Sequence, residues 1–387
     1  MSILQNLGVE AGSQDPGTKK SSSRTAKFVI GFVRNVLPLA LAIGTSGVFL
    51  LALGKSPASF YGAVLQFGLL GSGWQRSIIM LAPLLLYGAG LIVAFRGKLW
   101  NLGYEGQYLL GGVLVVGLAP ALTRSLPLAL AFIILMIVGA TVGGAWAFLP
   151  AVLKAKYGTN EIITTLMLSF VGIGITNMLI RGPFQNPEVT VPQTAVMPLD
   201  EMFPKILGSR IHIGIIIALI VVLILHYVLT RTSFGLRLDV YGASPKSALH
   251  VGIDVPKMIV TIFLISGALI GLAASIDMLG LWGTMRANWN PSYGAAILPF
   301  VFLARLNILA SIPFLAFYAV LATGGALASQ DVGLDSHFLL VVVALILVFM
   351  SVIEYIGMKR DLGQSYIPPG LRKALTSLLS RKNEVSS

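Results

Sequence analysis

Cysteine is absent from all 387 residues, so the chain has no disulfide and no thiolate that could bind a metal or attack a substrate. Charge is scarce as well. Asp, Glu, Lys and Arg together make up 11% of the residues, against about 25% in a soluble domain. The four histidines, His212, His226, His250 and His337, are scattered without metal-ligand spacing. No His-Glu-x-x-His and no Gly-x-Ser-x-Gly occurs. Gly54-Lys55-Ser56 ends like a phosphate-binding loop, but Phe49 stands where the first glycine of that loop is required. Nucleotide hydrolysis, zinc-dependent hydrolysis and serine-nucleophile chemistry therefore have no residues to carry them here.

What the chain has in abundance is apolar length. Hydrophobic residues make up 56% and the mean hydropathy is +0.86. This is the composition of an integral membrane protein, an all-α polytopic helical bundle. The formal charge is 27 − 15 = +12. In a membrane protein that excess belongs to basic cytoplasmic loops rather than to a nucleic-acid surface. The first 27 residues are polar and rich in Ser, Gly and Lys, and they read as a disordered cytoplasmic arm without the apolar core of a cleaved signal. A membrane-spanning domain over 28–358 and a basic cytoplasmic tail over 359–387 complete the expected organisation.

A bilayer core takes about 20 apolar residues per helix. Ten spans are expected, near 32–53, 74–95, 103–120, 127–150, 160–180, 211–230, 257–280, 293–305, 308–328 and 338–357. The third is short and glycine-rich. The eighth is too short to cross as a straight helix, so either can be a re-entrant or broken segment covered by protein. With the N-terminus inside, alternation puts 20 of the 27 Lys and Arg residues on the cytoplasmic side and 7 outside. That asymmetry predicts both termini inside. A proline-rich outer loop runs from Arg181 to Arg210, and the longest inner loop from Arg231 to Pro256. Gly139 with Gly143, and Gly267 with Gly271, are small-xxx-small pairs that let helix backbones approach closely.

Polar residues inside such spans are expensive unless they face protein or water. Asn101, Glu105 and Gln107 cluster among glycines at the start of the third span. They predict a helix start that lines a cavity or locks the fold, with Asn101 as a possible cap for a first-turn Glu105. Asn160 and Glu161 open the fifth span. A pathway role stands beside the plainer reading, in which the acid satisfies the free amides and dipole of the first turn. Asp277 and Glu354 fall near span ends and are expected at the interface. Trp282, Trp289 and Tyr293 read as an interfacial aromatic belt, with stacking of a base or sugar face as the alternative. In the inner loop, Ser244-Pro245 has the form of an N-cap followed by proline at the first helical position. It predicts a short helix over Lys246, Ser247, Ala248, Leu249 and His250, ended near Gly252, suited either to docking a soluble partner or to a plain connection.

Four segments resemble one permease family. They are Leu99-Trp-Asn-Leu-Gly-Tyr-Glu-Gly-Gln107, Gly158-Thr-Asn-Glu-Ile-Ile-Thr-Thr-Leu-Met-Leu168 continuing to Arg181-Gly-Pro183, the loop from Gly235 to Asp254, and Leu303-Ala-Arg-Leu-Asn307 leading to Gly324-Gly325. In this order they resemble the permease subunits of bacterial ABC importers of the branched-chain amino acid and ribose type, nearest the nucleoside and simple-sugar branch. Two departures stand out: Ser244 replaces the family's usual Asn, and Ala295 to Phe302 lacks the usual glycines.

The resemblance implies an importer half in the bacterial cytoplasmic (inner) membrane. A second permease subunit, identical or homologous, would complete the path. An ABC ATPase, which binds ATP and Mg, would dock on Ser244 to His250, and an extracytoplasmic solute-binding protein would deliver the substrate. No cofactor is expected in this chain. The low intramembrane charge predicts a neutral solute, a nucleoside first and a pentose or hexose second. An ion-coupled secondary transporter and a channel are the rival classes. The first would need buried acids or broken helices at the midplane.

Overall fold

The computed structural model describes residues 24–206, 208–335 and 338–361, with side chains from 36 to 359. The expected arm over 1–27 and tail over 359–387 lie largely outside the described residues. Among those described there is no strand, only thirteen α-helices, a 3-10 turn and a π-helical turn. Eight helices are long and apolar enough to cross a membrane. They are α3 (Gly73–Arg96), α4 (Tyr104–Ser125), α5 (Leu128–Tyr157), α6 (Glu161–Arg181), α7 (Gly214–Arg231), α10 (Val255–Asp277, continued by the π turn Met278–Trp282), α12 (Ile308–Val332) and α13 (Phe338–Asp361). Two of the ten expected spans remain: α1 (Arg24–Ala52), apolar from Val36 onward, and α11 (Tyr293–Leu303).

Two details differ from the sequence reading. The third span is a full helix, α4, with 22 residues. Its glycines are packing surfaces and not breaks: Gly111 faces Gly271 of α10, and Gly106 faces Ser169 of α6. A twelve-residue helix, α2 (Pro57–Gly68), was not expected. Ser56 caps it, its oxygen accepting from the Ser59 amide, and Pro57 starts it. It is too short to register as a span, yet it lies along α12, with Gly324 against the Val64 carbonyl and Gly68 against Val320.

The core is built around α3 and α10. Every residue of α3 from Ala82 to Phe95 is buried. α10 lies between α3 and α5, and its closest approach uses the two glycine pairs foreseen from spacing. A Cβ on Gly143 would run into the Gly267 carbonyl, and one on Gly271 into the Gly139 carbonyl. Only glycine permits that approach, which replaces a hydrophobic driving force that lipid does not supply. α6, α7 and α13 carry much of the exposed apolar surface, including Phe170, Met178, Leu223 and Val348.

Helix ends sort onto two faces. On one, Arg96 forms a bidentate ion pair with Asp239 at 2.7 Å, beside Lys98, Arg305 and Asn307 around a cavity of about 520 Å³. On the other, Lys55 donates to the Val332 carbonyl (2.7 Å), Gln75 accepts from the Arg210 amide (3.0 Å) and Thr123 donates to Glu201 (2.6 Å). Consecutive spans alternate between these faces, and α1 and α13 meet the second face with their adjoining ends. The inner loop is two helices, α8 (Ser233–Ala243) and α9 (Pro245–His250). The Ser244 hydroxyl accepts from the Ser247 amide (3.2 Å), so the predicted cap and its proline are both present.

Candidate functional site: a polar face at half depth

The short helix α11 sets the depth of everything around it. It has 11 residues, and at 1.5 Å each it rises about 16 Å, half of a hydrocarbon core of about 30 Å. Its lower end adjoins Arg305 and Asn307, on the face of the Arg96–Asp239 pair. Its upper end, Tyr293 and Gly294, therefore stands near the midplane, against Tyr104 and Tyr87. The chain that leads into it, from Gly283 to Ser292, is irregular. Gly283, Asn288 and Ser292 all have left-handed backbone, with φ of 61°, 61° and 51°. Two of the three are not glycine, and a left-handed backbone costs such residues about 1–2 kcal/mol each. Hydrogen bonds hold them. The Asn288 amide donates to Asn177 of α6 (2.7 Å), and the Ser292 amide donates to Asn290 (2.8 Å).

Asn288 and Asn290 are exposed, and Ser292 and Trp289 partly so. Exposed amides and irregular backbone at this depth cannot face lipid, because every unpaired group there costs several kcal/mol. This face is turned toward water or toward protein outside the chain. The Glu105 carboxyl belongs to it: the Asn290 side chain and the Gly294 backbone amide reach the carboxyl, while its Oε2 has no hydrogen-bond partner.

Asp277 is the residue that the sequence reading misplaced. It was expected at the interface, but it is 1% exposed and ends α10 at the π turn. From Ile262, which touches Gly97, to Asp277 the helix climbs about 22 Å. Its Oδ2 accepts from the Tyr108 hydroxyl, from Trp282 Nε1 (3.2 Å) and from the Tyr293 hydroxyl (3.3 Å), while Oδ1 has no partner. The expected aromatic belt is thereby corrected. Tyr293 is a buried ligand of this carboxyl, and Trp282 is pinned by it. Trp282 leans edge-on against Trp289, ring centroids 5.1 Å apart, and is still 42% exposed.

The other candidates occupy three separate places. Asn101 and Gln107, 0% and 1% exposed, form a reciprocal amide pair: Asn101 Nδ2 to Gln107 Oε1 is 3.0 Å, and Gln107 Nε2 to Asn101 Oδ1 is 2.9 Å. Asn101 Nδ2 also donates to Ser266 of α10 (2.9 Å), and its Oδ1 accepts from the Gly103 amide (3.2 Å). The pair ties the start of α4 to α10, behind the polar face. Asn160 caps α6 by accepting from the Ile162 amide (2.9 Å), and Glu161 pairs with Lys154 at 2.8 Å. Both lie at the N-terminal end of α6, where Thr165 donates to the Glu161 carbonyl and accepts from the Leu102 amide. Ser244 to His250 sit on the Arg96–Asp239 face. There the carboxyl of Asp254 is held below its usual range by hydrogen bonds from Lys257. Among the described residues no cluster of His, Cys, Asp or Glu could hold a metal.

Residues 73–352 match the family described as branched-chain amino acid transport system / permease component. The chain belongs to this family of ABC transporter permeases. Three relatives illustrate its range. A glucose ABC transporter permease of Haloferax volcanii is 30% identical over 86% of this chain and 90% of its own length. A guanosine ABC transporter permease of Bacillus subtilis is 31% identical over 63% of this chain and 71% of its own. A nucleoside ABC transporter permease of Lactococcus lactis is 28% identical over 86% and 92%. No solved structure matches. The permease is a multi-pass transport subunit and not an enzyme, and ATP hydrolysis belongs to a separate subunit.

The sequence reading missed Asn177, Asn288 and Asn290. The run Asn288-Trp-Asn-Pro-Ser292, wedged between two apolar spans, was the available signal. Its importance depends on depth, which the short α11 supplies.

Proposed function

We propose that this permease imports a nucleoside across the bacterial cytoplasmic membrane, as one half of a pair of permease chains. The observation that carries the reading is the half-depth polar face. It offers amides, a carboxylate and an indole, and Arg286 is the single basic residue of the segment that leads into α11. A neutral solute rich in hydroxyls suits such a face, because Asn and Ser bind hydroxyls without a counter-ion. Relatives that carry guanosine and nucleosides support the substrate class. The glucose permease among the relatives supports a simple sugar as the second reading.

The face with Arg96, Lys98 and Arg305 is taken as cytoplasmic, since it gathers the basic residues. The partner ATPase, with its ATP and Mg, docks there on α9. A solute-binding protein delivers from the other side. The Arg96–Asp239 pair links α8, next to α9, with α3 at the centre of the bundle. Closure of the ATPase dimer moves α9 and α8, and through that pair rocks α3 and its neighbours. Labelled nucleoside uptake in cells carrying the complete system tests the reading. Uptake is expected, with excess unlabelled nucleoside competing and ribose failing to compete. Competition by ribose or glucose alone would replace the nucleoside with a sugar.

A further inference from the structure

Resting on the nucleoside reading, we infer that the exposed face of Trp282, with Asn290, Ser292 and Glu105, is the solute-binding wall of this permease, and that Asp277 positions it. The wall takes a flat base on the indole and sugar hydroxyls on the polar groups. The observations converge from separate parts of the chain. Trp282 comes from the π turn after α10, Asn290 and Ser292 from the irregular segment, and Glu105 from the first turn of α4. They gather around the upper end of α11 and the π turn that follows Asp277, where the chain after Trp282 is held by the loop between α6 and α7 (Met197 amide to Gly283 carbonyl, 2.9 Å).

Two features set this wall apart from ordinary packing. The first is rigidity. The Trp282 indole is fixed at one edge by its bond to Asp277 and braced by Trp289, while 42% of it stays open. Asp277 can do this because Tyr108 and Tyr293 satisfy the same oxygen, which holds a buried carboxylate in place at a depth where it would otherwise be expelled. A pre-set aromatic face costs a ligand little ordering on binding. The second is incompleteness. Glu105 is approached by Asn290 and Gly294 yet keeps Oε2 without a partner. That oxygen is enclosed, so it is an unmet acceptor in the floor of the wall, behind the exposed Asn290. Asn290 spends its oxygen on the Ser292 amide, so its NH₂ group faces Glu105 and the solute.

Asp277 is a positioning residue. It touches Trp282, not the solute. Its neutral isostere keeps an oxygen for the indole N–H, whereas an apolar replacement releases the ring.

The chain's lack of cysteine makes a direct test available. Ser292→Cys, nearly isosteric, places a single thiol on the wall of the full transporter in proteoliposomes. A hydrophilic maleimide is expected to label it, and saturating nucleoside, delivered on the binding protein, to slow labelling several-fold. Labelling that nucleoside leaves unchanged, or no labelling at all, overturns the site. Uptake kinetics give the second arm. Trp282→Leu is expected to raise the KM for nucleoside about tenfold, the scale of one lost base–aromatic stack, with Trp282→Phe close to wild type. Asp277→Leu should shift KM as Trp282→Leu does, and Asp277→Asn much less. An unchanged KM in an assembled Trp282→Leu complex also overturns the site. Wild-type uptake separates the two readings: no nucleoside import sinks the proposed function, while import with an unprotected thiol and unchanged KM sinks only this wall.

Discussion

Replacing Asn101 with Leu removes one amide and orphans three groups at once. Gln107 loses the acceptor for Nε2 and the donor for Oε1, and the Gly103 amide loses Asn101 Oδ1. Ser266 loses little, because a helix serine can turn its hydroxyl to the carbonyl four residues back. Hydrogen bonds between helices in membranes average about 0.6 kcal/mol. A buried polar group left without a partner costs about 1–3 kcal/mol. Asn101 and Gln107 are fully enclosed, so no water can take the lost place. The single variant should therefore lose about 2–4 kcal/mol of stability. The double variant Asn101→Leu, Gln107→Met removes both members of the pair and leaves two apolar side chains of similar volume. It should be more stable than Asn101→Leu alone by about 1–3 kcal/mol, a non-additive rescue. Unfolding of the purified permease in mixed micelles with rising SDS fraction measures all three proteins. If the two substitutions simply add, the reciprocal amide pair is not what holds the start of α4 to α10, and the reasoning fails.

Further expectations follow from the same contacts. Lys246→Glu or Pro245→Gly should lower transport-coupled ATP hydrolysis while the permease still inserts, since both disturb α9; unchanged ATPase stimulation in proteoliposomes would contradict docking there. Arg96→Asp should uncouple in the same assay, and Asp239→Arg on top of it should restore coupling in part, as the reversed pair re-forms; a double variant as impaired as the single would show that the pair transmits nothing. Glu105→Leu should abolish uptake, and normal uptake with normal complex yield would make Glu105 an idle helix-start charge. Gly271→Val should sharply reduce folded yield, because its side chain would occupy the place of the Gly139 carbonyl; wild-type yield and thermal stability would disprove the close α5–α10 approach.

Hydropathy and punctuation made most of the architecture legible. The ten apolar segments and the Ser244-Pro245 cap were local properties, set by backbone hydrogen bonding in lipid and by side chains that touch their own turn. The glycine pairs were legible too, since their spacing alone puts them on one helix face. The helix α2 was not, because twelve residues average away in a window set by bilayer thickness.

The site divided along the same line. Asn101, Glu105 and Gln107 were visible as polar residues in an apolar setting, but the sequence could not separate their roles. The tertiary structure did so by direction: Asn101 pairs with Gln107 and turns to Ser266 of α10, and Glu105 turns to Asn290 and the start of α11. Asp277 looked interfacial because it falls near the end of an apolar run. Its burial was decided by Tyr108 and Tyr293, 169 and 16 residues away, which satisfy its carboxyl. Asn288 and Asn290 looked like loop residues, and only the half-length of α11 lowered that loop to the midplane. Local composition and motif order sufficed for the membrane-spanning helices, most of their ends and the permease family, because each of those is written within a short stretch of chain. The depth of each polar group and the way it faces came from contacts between helices far apart in the chain, which no short stretch encodes.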